Sequence, residues 1–128
     1  MTEPIFHMCR AGEWTDALAR GAYAGSSQDM ADGFIHFSTA AQLPESAARH
    51  RRGQPGLVLL TVDPVPLGAA LKWEPSRAGQ LFPHLYGALP VSAVLRADPM
   101  PLGPDGVPRV PPHAAPGPAP GPAPETVP

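Results

Sequence analysis

The chain has few of the residues on which several protein classes depend. It has 128 residues and a single cysteine, Cys9, which excludes an internal disulfide and a zinc site built from several cysteines. Lysine and arginine together number nine, aspartate and glutamate number eleven, and the formal net charge is −2. Such a balance creates no overall field that would attract nucleic acid or an anionic membrane, so we expect neither as a partner.

Long hydrophobic runs are also missing. No apolar stretch reaches the length of a membrane span. The first residues, Met1-Thr2-Glu3-Pro4, have neither the basic nor the apolar region of a secretion signal. We therefore expect a soluble cytoplasmic protein.

Proline is abundant but unevenly distributed. Twelve of the 20 prolines lie in residues 99–128. Proline removes backbone hydrogen-bond donors, and this stretch has little apolar mass to bury. We predict a single domain over residues 1–98 and a disordered Pro/Gly/Ala-rich tail over 99–128.

The hydrophobic pattern of residues 1–98 predicts two helices and several short strands. Thr39 and Gln42 have the spacing of a capping box, which favours a helix directly after them. Residues 22–32 are rich in small and polar types, and we interpret them as an irregular loop. Two early helices followed by short strands indicate an α+β fold with a bent or split sheet. The predicted helices are 12–20 and 40–51, and the predicted strands are 5–8, 33–37, 57–62, 71–74, 81–86 and 91–97.

Three histidines lie within apolar segments, namely His7, His36 and His84. Imidazole can exchange protons near neutrality, donate to an anionic ligand or hold a metal. His36 and Ser38 are two residues apart, so on a strand they project to one face, beside the start of the next helix. This arrangement predicts an anion site. In the alternative, His36 bonds to a backbone carbonyl in the core while Ser38 or Thr39 caps the helix.

The segment around His84 can be interpreted in the same two ways. His84 and Tyr86 alternate onto one face of an extended segment, and Pro83 restricts that segment to a sheet edge or a cleft rim. It is therefore a candidate ligand wall, or else a loop over the core with both side chains bonded to backbone. Glu74 is either a candidate functional contact or a solvated residue at the end of a strand. A third hypothesis makes His7, His36 and His84 a metal site with an open position for water, whereas our preferred prediction contains no metal.

Taken together, five segments resemble the family called domain of unknown function 952, and the resemblance covers about residues 4–98. That family in turn resembles the ADP-ribosyltransferase superfamily, which implies a split sheet that clasps NAD between its halves. A fainter similarity links the chain to the NAD-consuming RNA 2′-phosphotransferases. It rests on the order of His36-Phe37-Ser38, Arg51-Arg52-Gly53 and the strand that ends at Val62-Asp63. The five segments are Ile5-Phe6-His7, Glu13-Trp14, Gly33–Thr39, Leu71–Glu74 and Leu81–Gly87.

The resemblance implies NAD as the cofactor and assigns site residues. His7 would face the adenosine side, and His36, Ser38 and Thr39 would line the nicotinamide pocket. No glutamate directly follows Phe82, so Glu74 or His84 would take the catalytic position. The resulting hypothesis is a pocket for NAD or an ADP-ribose-like nucleotide, in either an NAD-dependent ribosyl or phosphoryl transferase or a non-catalytic binding module. Arg51 and Arg52 both match phosphate-holding arginines by position, and the assigned site includes Arg52 together with Tyr86 in the ligand wall.

Overall fold

The computed structural model of the protein describes residues 3–114. This part of the chain is an α+β structure of short antiparallel sheets and short helices. The α-helices are α1 (Ala11–Arg20), α2 (Ser27–Asp32) and α3 (Leu43–His50). The strands are β1 (Ile5–Arg10), β2 (Ala22–Tyr23), β3 (Ile35–His36), β4 (Leu57–Val62), β5 (Leu71–Pro75), β6 (Leu81–Leu85), β7 (Leu89–Pro90) and β8 (Val94–Met100). Short 3-10 helices span Val65–Ala70, Arg77–Gly79, Val91–Ala93 and Pro112–Ala114.

Two three-stranded sheets, in the orders β1-β4-β8 and β3-β6-β5, form the main framework, and β2 pairs with β7. The apolar run of β4 is its sheet's central strand, and all of its residues except Val58 are buried. The two larger sheets are connected where Phe6 and Ser38 exchange two backbone hydrogen bonds of 2.8 Å. This connection brings the middle of β1 next to the end of β3.

Side-chain alternation along β1 divides the core into two clusters. Ile5 and Cys9 pack in one cluster with Tyr23. Phe6 and Met8 point the other way and pack in the second cluster. Since His7 shares the parity of Ile5 and Cys9, it lies on the face that meets Tyr23 and β3.

The segment 22–32, predicted to be a loop, contains strand β2 and helix α2. The helix begins at a capping box in which the Ser26 hydroxyl accepts from the Asp29 N–H and the Asp29 carboxylate accepts from the Ser26 N–H. It ends at Gly33, whose φ of 88° is in the left-handed region that glycine adopts freely. The prediction was wrong because the Ser-x-x-Asp spacing outweighs the small, polar composition of the segment.

Helix α3 is shorter than the predicted 40–51. Thr39 and Gln42 do form the reciprocal capping bonds, at 3.0 and 3.2 Å. However, they close a turn that precedes the helix, which begins at Leu43. Pro44 fixes this start because proline fits only the first turn of a helix.

Several strand boundaries also differ from prediction. Strand β1 continues to Arg10, β5 continues to Pro75, and β6 ends at Leu85. The predicted strand 33–37 is reduced to Ile35–His36 because Gly33 ends α2. The predicted strand 91–97 starts later, at Val94, after a 3-10 turn, and continues to Met100.

The folded part of the chain extends past the predicted boundary at residue 98. Met100 is 1 % exposed, Ala114 is fully buried, and both pack in the second cluster. Prolines are compatible with this packing because β8 is an edge strand, where a missing N–H costs no ladder bond. The predicted disordered tail is therefore wrong for residues 99–114, and its remainder, 115–128, lies outside the described residues. Among residues 3–114, no helix combines the length and apolarity needed to cross a bilayer.

Candidate functional site

A cleft of about 590 Å³ opens where β1, the α2–β3 segment and α3 approach each other. Its lining combines apolar side chains with many titratable groups. One group of lining residues comes from α2, β3 and β6 and includes Asp29, His36 and His84. A second group comes from the ends of β1 and α3 and includes Arg10, Arg49 and Arg51.

Asp29 is the central hydrogen-bond acceptor of the first group. Its side chain is 3 % exposed, and its Oδ2 accepts from the Ser26 N–H at 2.7 Å and from the Ser26 hydroxyl at 3.0 Å. Its Oδ1 accepts from the His36 ring at 2.6 Å and from the His36 N–H at 3.1 Å. Burial alone would raise the pKa of this carboxyl group, but the hydrogen bonds from His36 and Ser26 outweigh burial and hold the pKa well below its usual range.

The His36 ring lies between two carboxylates. Its Nδ1 is bonded to Asp29, and its Nε2 lies 3.0 Å from Asp32 Oδ2. Carboxylate oxygens only accept, so Nδ1 is the nitrogen that donates to Asp29, and Asp32 offers a second acceptor close to Nε2. The His36 side chain is 40 % exposed and lines the cleft.

His7 lies behind His36 and has both ring nitrogens occupied. Its Nδ1 donates to the His36 carbonyl at 2.6 Å, and its Nε2 accepts from the Tyr23 hydroxyl at 2.7 Å. Burial lowers the pKa of His7, which keeps the ring neutral, and burial raises the pKa of Tyr23. His7 therefore supports the backbone of β3, although its ring also reaches the cleft wall.

The lowered pKa of His7 predicts acid sensitivity. Unfolded His7 takes up a proton near pH 6.5, whereas the folded ring does so only at lower pH. The unfolded state then binds more protons, so stability is full above about pH 6.5 and is lost as the pH falls toward the folded-state pKa. We expect urea unfolding to show this loss in the wild type, with a slope of up to ~1.4 kcal/mol per pH unit, and a shallower slope in His7→Gln.

A matched control for this experiment is His113→Gln, because His113 lies outside the cleft and bonds to Thr61. In this variant, His7 should contribute to the pH dependence of the unfolding free energy as it does in the wild type. Parallel profiles for the wild type and His7→Gln between pH 6.5 and 5 would contradict the assignment of a neutral, buried His7.

His84 forms the second histidine–carboxylate pair of the cleft. Its Nδ1 donates to Glu74 Oε1 at 2.8 Å, and the Tyr86 hydroxyl donates to the same oxygen at 2.8 Å. These two bonds lower the pKa of Glu74. The ring of Phe34 stacks on His84 with centroids 4.1 Å apart and also contacts His36 at 4.5 Å. His84 lines the cleft, whereas Glu74 and Tyr86 are not among its lining residues.

The structure separates the predicted residues Ser38 and Thr39. Ser38 lines the cleft, but it is buried and its hydroxyl donates to the Ser46 hydroxyl at 3.0 Å. Thr39 lies outside the cleft and caps the turn before α3. The capping alternative is therefore the one that describes Thr39.

The structure separates the two arginines that match by position. Arg52 does not line the cleft and donates to the Asp105 carbonyl at 3.2 Å. Its neighbour Arg51 lines the cleft and is held by the Met8 carbonyl at 2.8 Å and Gln54 at 3.0 Å. Adjacent residues at a helix end point in different directions, which the sequence order alone does not resolve.

The three histidines do not form the alternative metal site. His7 and His36 direct all four ring nitrogens at protein atoms. Within residues 3–114, no group of three or more histidine, cysteine, aspartate or glutamate side chains is arranged to hold a metal ion. Cys9 is fully buried, and burial raises the pKa of its thiol to about 12.

Sequence reasoning missed the carboxylates of α2. Asp29 and Asp32 lie in the segment that was predicted to be a loop, yet both contact His36. The signal that could have identified Asp29 is the Ser26-x-x-Asp29 capping box. No local signal places Asp29 beside His36, because that contact depends on the turn at Gly33.

The fold and the cleft define a small α+β protein whose polar cleft is built on histidine–carboxylate pairs. Residues 8–97 match the family model described as "Protein of unknown function (DUF952)", and the chain belongs to this family, as its sequence motifs predicted. No curated protein matches the chain.

Solved structures of one bacterial protein are similar to the chain over most of its length. The crystal structure of protein CC0527 from Caulobacter crescentus is 49% identical, covers 87% of this chain and 97% of that one, and has a TM-score of 0.84. The solution NMR structure of CC0527 is 50% identical over 82% of this chain and 90% of that one, with a TM-score of 0.74.

Proposed function

We propose that the cleft binds a phosphate-bearing nucleotide of the NAD or ADP-ribose class. The observation that carries the proposal is the combination of three arginines and the His36–Asp29 pair in the lining of one cleft. Its volume of about 590 Å³ falls within the ~300–1,000 Å³ that is usual for small-molecule sites. We further propose that the fold is related to the ADP-ribosyltransferase superfamily, because two small sheets meet at this cleft.

The arginines supply the chemistry for phosphate. A guanidinium group presents paired donors that match phosphate oxygens. The guanidinium of Arg51 is already fixed by the Met8 carbonyl and Gln54, so binding a phosphate there would cost little side-chain ordering. Arg49 lies two residues earlier on α3, where it pairs with Glu45, an exposed carboxylate.

The carboxylates of α2 supply partners of the opposite sign. Asp32 has 37 % of its side chain exposed, which leaves it open to the hydroxyl groups of a ribose. A cleft with arginines from α3 and β1 and carboxylates from α2 suits a ligand with anionic phosphates at one end and a hydroxyl-rich or cationic end. NAD and ADP-ribose both have that distribution.

Binding is the proposed function, and ribosyl transfer is not part of it. Glu74, the glutamate predicted to be catalytic, does not line the cleft and accepts from His84, which does. The histidine that lines the cleft at the other pair, His36, has a carboxylate beside each ring nitrogen. In its protonated form that ring would oppose the positive charge that develops on the ribose during such a transfer. These observations favour the non-catalytic alternative for NAD.

Calorimetric titration with NAD and with ADP-ribose tests the proposal. We expect Arg49→Gln to weaken binding of both ligands by about tenfold, the effect of one hydrogen bond to a charged group. The matched control is Arg52→Gln, which removes the same charge from an exposed arginine outside the cleft.

The control should bind like the wild type. Equal weakening in both variants would show that only net charge matters, and the assignment of the cleft would then fall. It would fall equally if the wild type bound neither ligand at millimolar concentration.

A further inference from the structure

Two carboxylate-backed histidines face the same cleft and lie close together. The ring centroids of His36 and His84 are 5.6 Å apart, and the rings meet edge to face. Phe34 contacts both rings, at 4.5 and 4.1 Å, and restricts their movement. Both imidazoles can therefore reach the same group of a bound ligand.

The hydrogen-bond partners give the two rings different proton-transfer roles. Glu74 accepts from His84 Nδ1, so in the neutral ring the lone pair is on Nε2 and is available as a base. His36 has a carboxylate beside each ring nitrogen, so both N–H groups of its protonated ring have an acceptor nearby. This geometry suits His84 to accept a proton and the protonated form of His36 to donate one.

We propose that His84 and His36 are the general base and the general acid for hydrolysis of a cyclic phosphodiester on the ribose of a bound nucleotide. This inference rests on the proposed function, because the arginines that bind phosphate would hold the scissile group. It adds a reaction that binding alone does not require.

The reaction balances with water as the only co-reactant. His84 Nε2 removes a proton from water while the water oxygen forms a bond to phosphorus. The bond from phosphorus to one ribose oxygen breaks, and the proton on His36 Nε2 passes to that oxygen. The product is a phosphomonoester with a free hydroxyl group, and the proton gained by His84 returns to His36 through solvent.

The surrounding charges favour this chemistry over transfer of the ribosyl group. The leaving ribose oxygen develops negative charge, which His36 stabilises in its protonated form. Arg49 and Arg51 can pair with the non-bridging oxygens of the phosphate, which neither form nor break a bond in the reaction. Asp32 now occupies the position at His36 Nε2 that the leaving oxygen would take, and as an exposed side chain at the end of α2 it can rotate away.

Asp29 and Glu74 are positioning residues in this scheme. Asp29 fixes the His36 ring from the buried side, and Glu74 fixes the tautomer of His84. Glu74→Gln tests the second role, because an amide nitrogen can donate to Nδ1 and stabilise the opposite tautomer. We expect Glu74→Gln to lower turnover and to change the nitrogen NMR shifts of His84, whereas a merely structural residue would leave those shifts unchanged.

The main test uses the full chain with adenosine 2′,3′-cyclic monophosphate as the probe, followed by phosphorus NMR. We expect conversion to an adenosine monophosphate and a loss of kcat of about 10²- to 10⁴-fold in both His36→Gln and His84→Gln. The matched control is His113→Gln, which removes a histidine near a carboxylate, Asp98, outside the cleft. It should turn over the probe at the wild-type rate.

Titration with ADP-ribose in parallel separates failure of this inference from failure of the proposed function. Binding of ADP-ribose without turnover of the probe would overturn the acid–base pair and leave nucleotide binding intact. If the protein neither binds ADP-ribose nor turns over the probe, both the acid–base pair and the proposed nucleotide binding are overturned. Turnover that survives in either histidine variant would also overturn the pair, and melting curves identify a variant that is unfolded. If His36→Gln does not fold, His84→Gln decides the outcome.

Discussion

Replacing Asp29 with alanine is expected to lower the free energy of unfolding by about 3 kcal/mol, the lower part of the range for breaking a buried charged pair. The substitution leaves the Ser26 N–H and the His36 ring without their shared acceptor. It also removes the capping box that starts α2. Half-exposure of His36 limits the loss, because solvent can reach part of the stranded ring. Urea unfolding at pH 7 measures the change.

The matched control is Asp32→Ala, which removes the other carboxylate partner of His36. Because Asp32 is exposed, this variant should lose less than about 1 kcal/mol. Similar losses in the two variants would show that the buried position of Asp29 has no special effect. The contribution of Asp29 to the free energy of unfolding should be fully present above about pH 4. It should decline only as the pH falls toward the lowered pKa of Asp29.

Replacing Met100 with alanine is expected to destabilise the protein by about 2–4 kcal/mol, as for other large apolar side chains deleted from a core. Met100 is 1 % exposed and packs in the second cluster with Phe6, Leu57 and Ala114. Its register partner across the sheet is Leu57, at the first position of the central strand. The cavity would therefore open at one end of the sheet, beside the start of its central strand, and thermal or urea unfolding would report it.

Leu95→Ala is the control for Met100→Ala. Leu95 lies on the same strand, β8, and 62 % of it is exposed. Its replacement should change stability by no more than about 0.5 kcal/mol. A loss below 1 kcal/mol for Met100→Ala would mean that the chain beyond residue 98 adds little to the core.

Local patterns predicted those elements whose signal is contained within a few residues. The apolar run Leu57–Val62 forms a strand with the predicted bounds, and its burial follows from its position between two other strands. Helix α1 ends at Arg20, as predicted, and Gly21 follows in the left-handed conformation that often ends helices. The capping residues Thr39 and Gln42 bond as predicted, although the proline at position 44 moves the helix start to Leu43.

Composition was a poorer guide than local hydrogen-bonding patterns. Small and polar residues suggested a loop over 22–32, where Ser26 and Asp29 nucleate a helix. Frequent prolines suggested disorder from residue 99, where an edge strand and a buried methionine continue the core. In both segments, specific contacts compensate for an unfavourable average composition.

The sequence by itself determined that this is a small α+β protein of the DUF952 family with histidines at its cleft. The apolar segments that contain His7, His36 and His84 are short enough to be recognised from alternation and motif alone. Only the tertiary structure decided what each histidine contacts. His7 meets Tyr23 and the His36 carbonyl, His36 meets two carboxylates of α2, and His84 meets Glu74 across a strand pair. The physical reason is that hydrogen bonds depend on distances between groups that are far apart in the chain, and packing sets those distances.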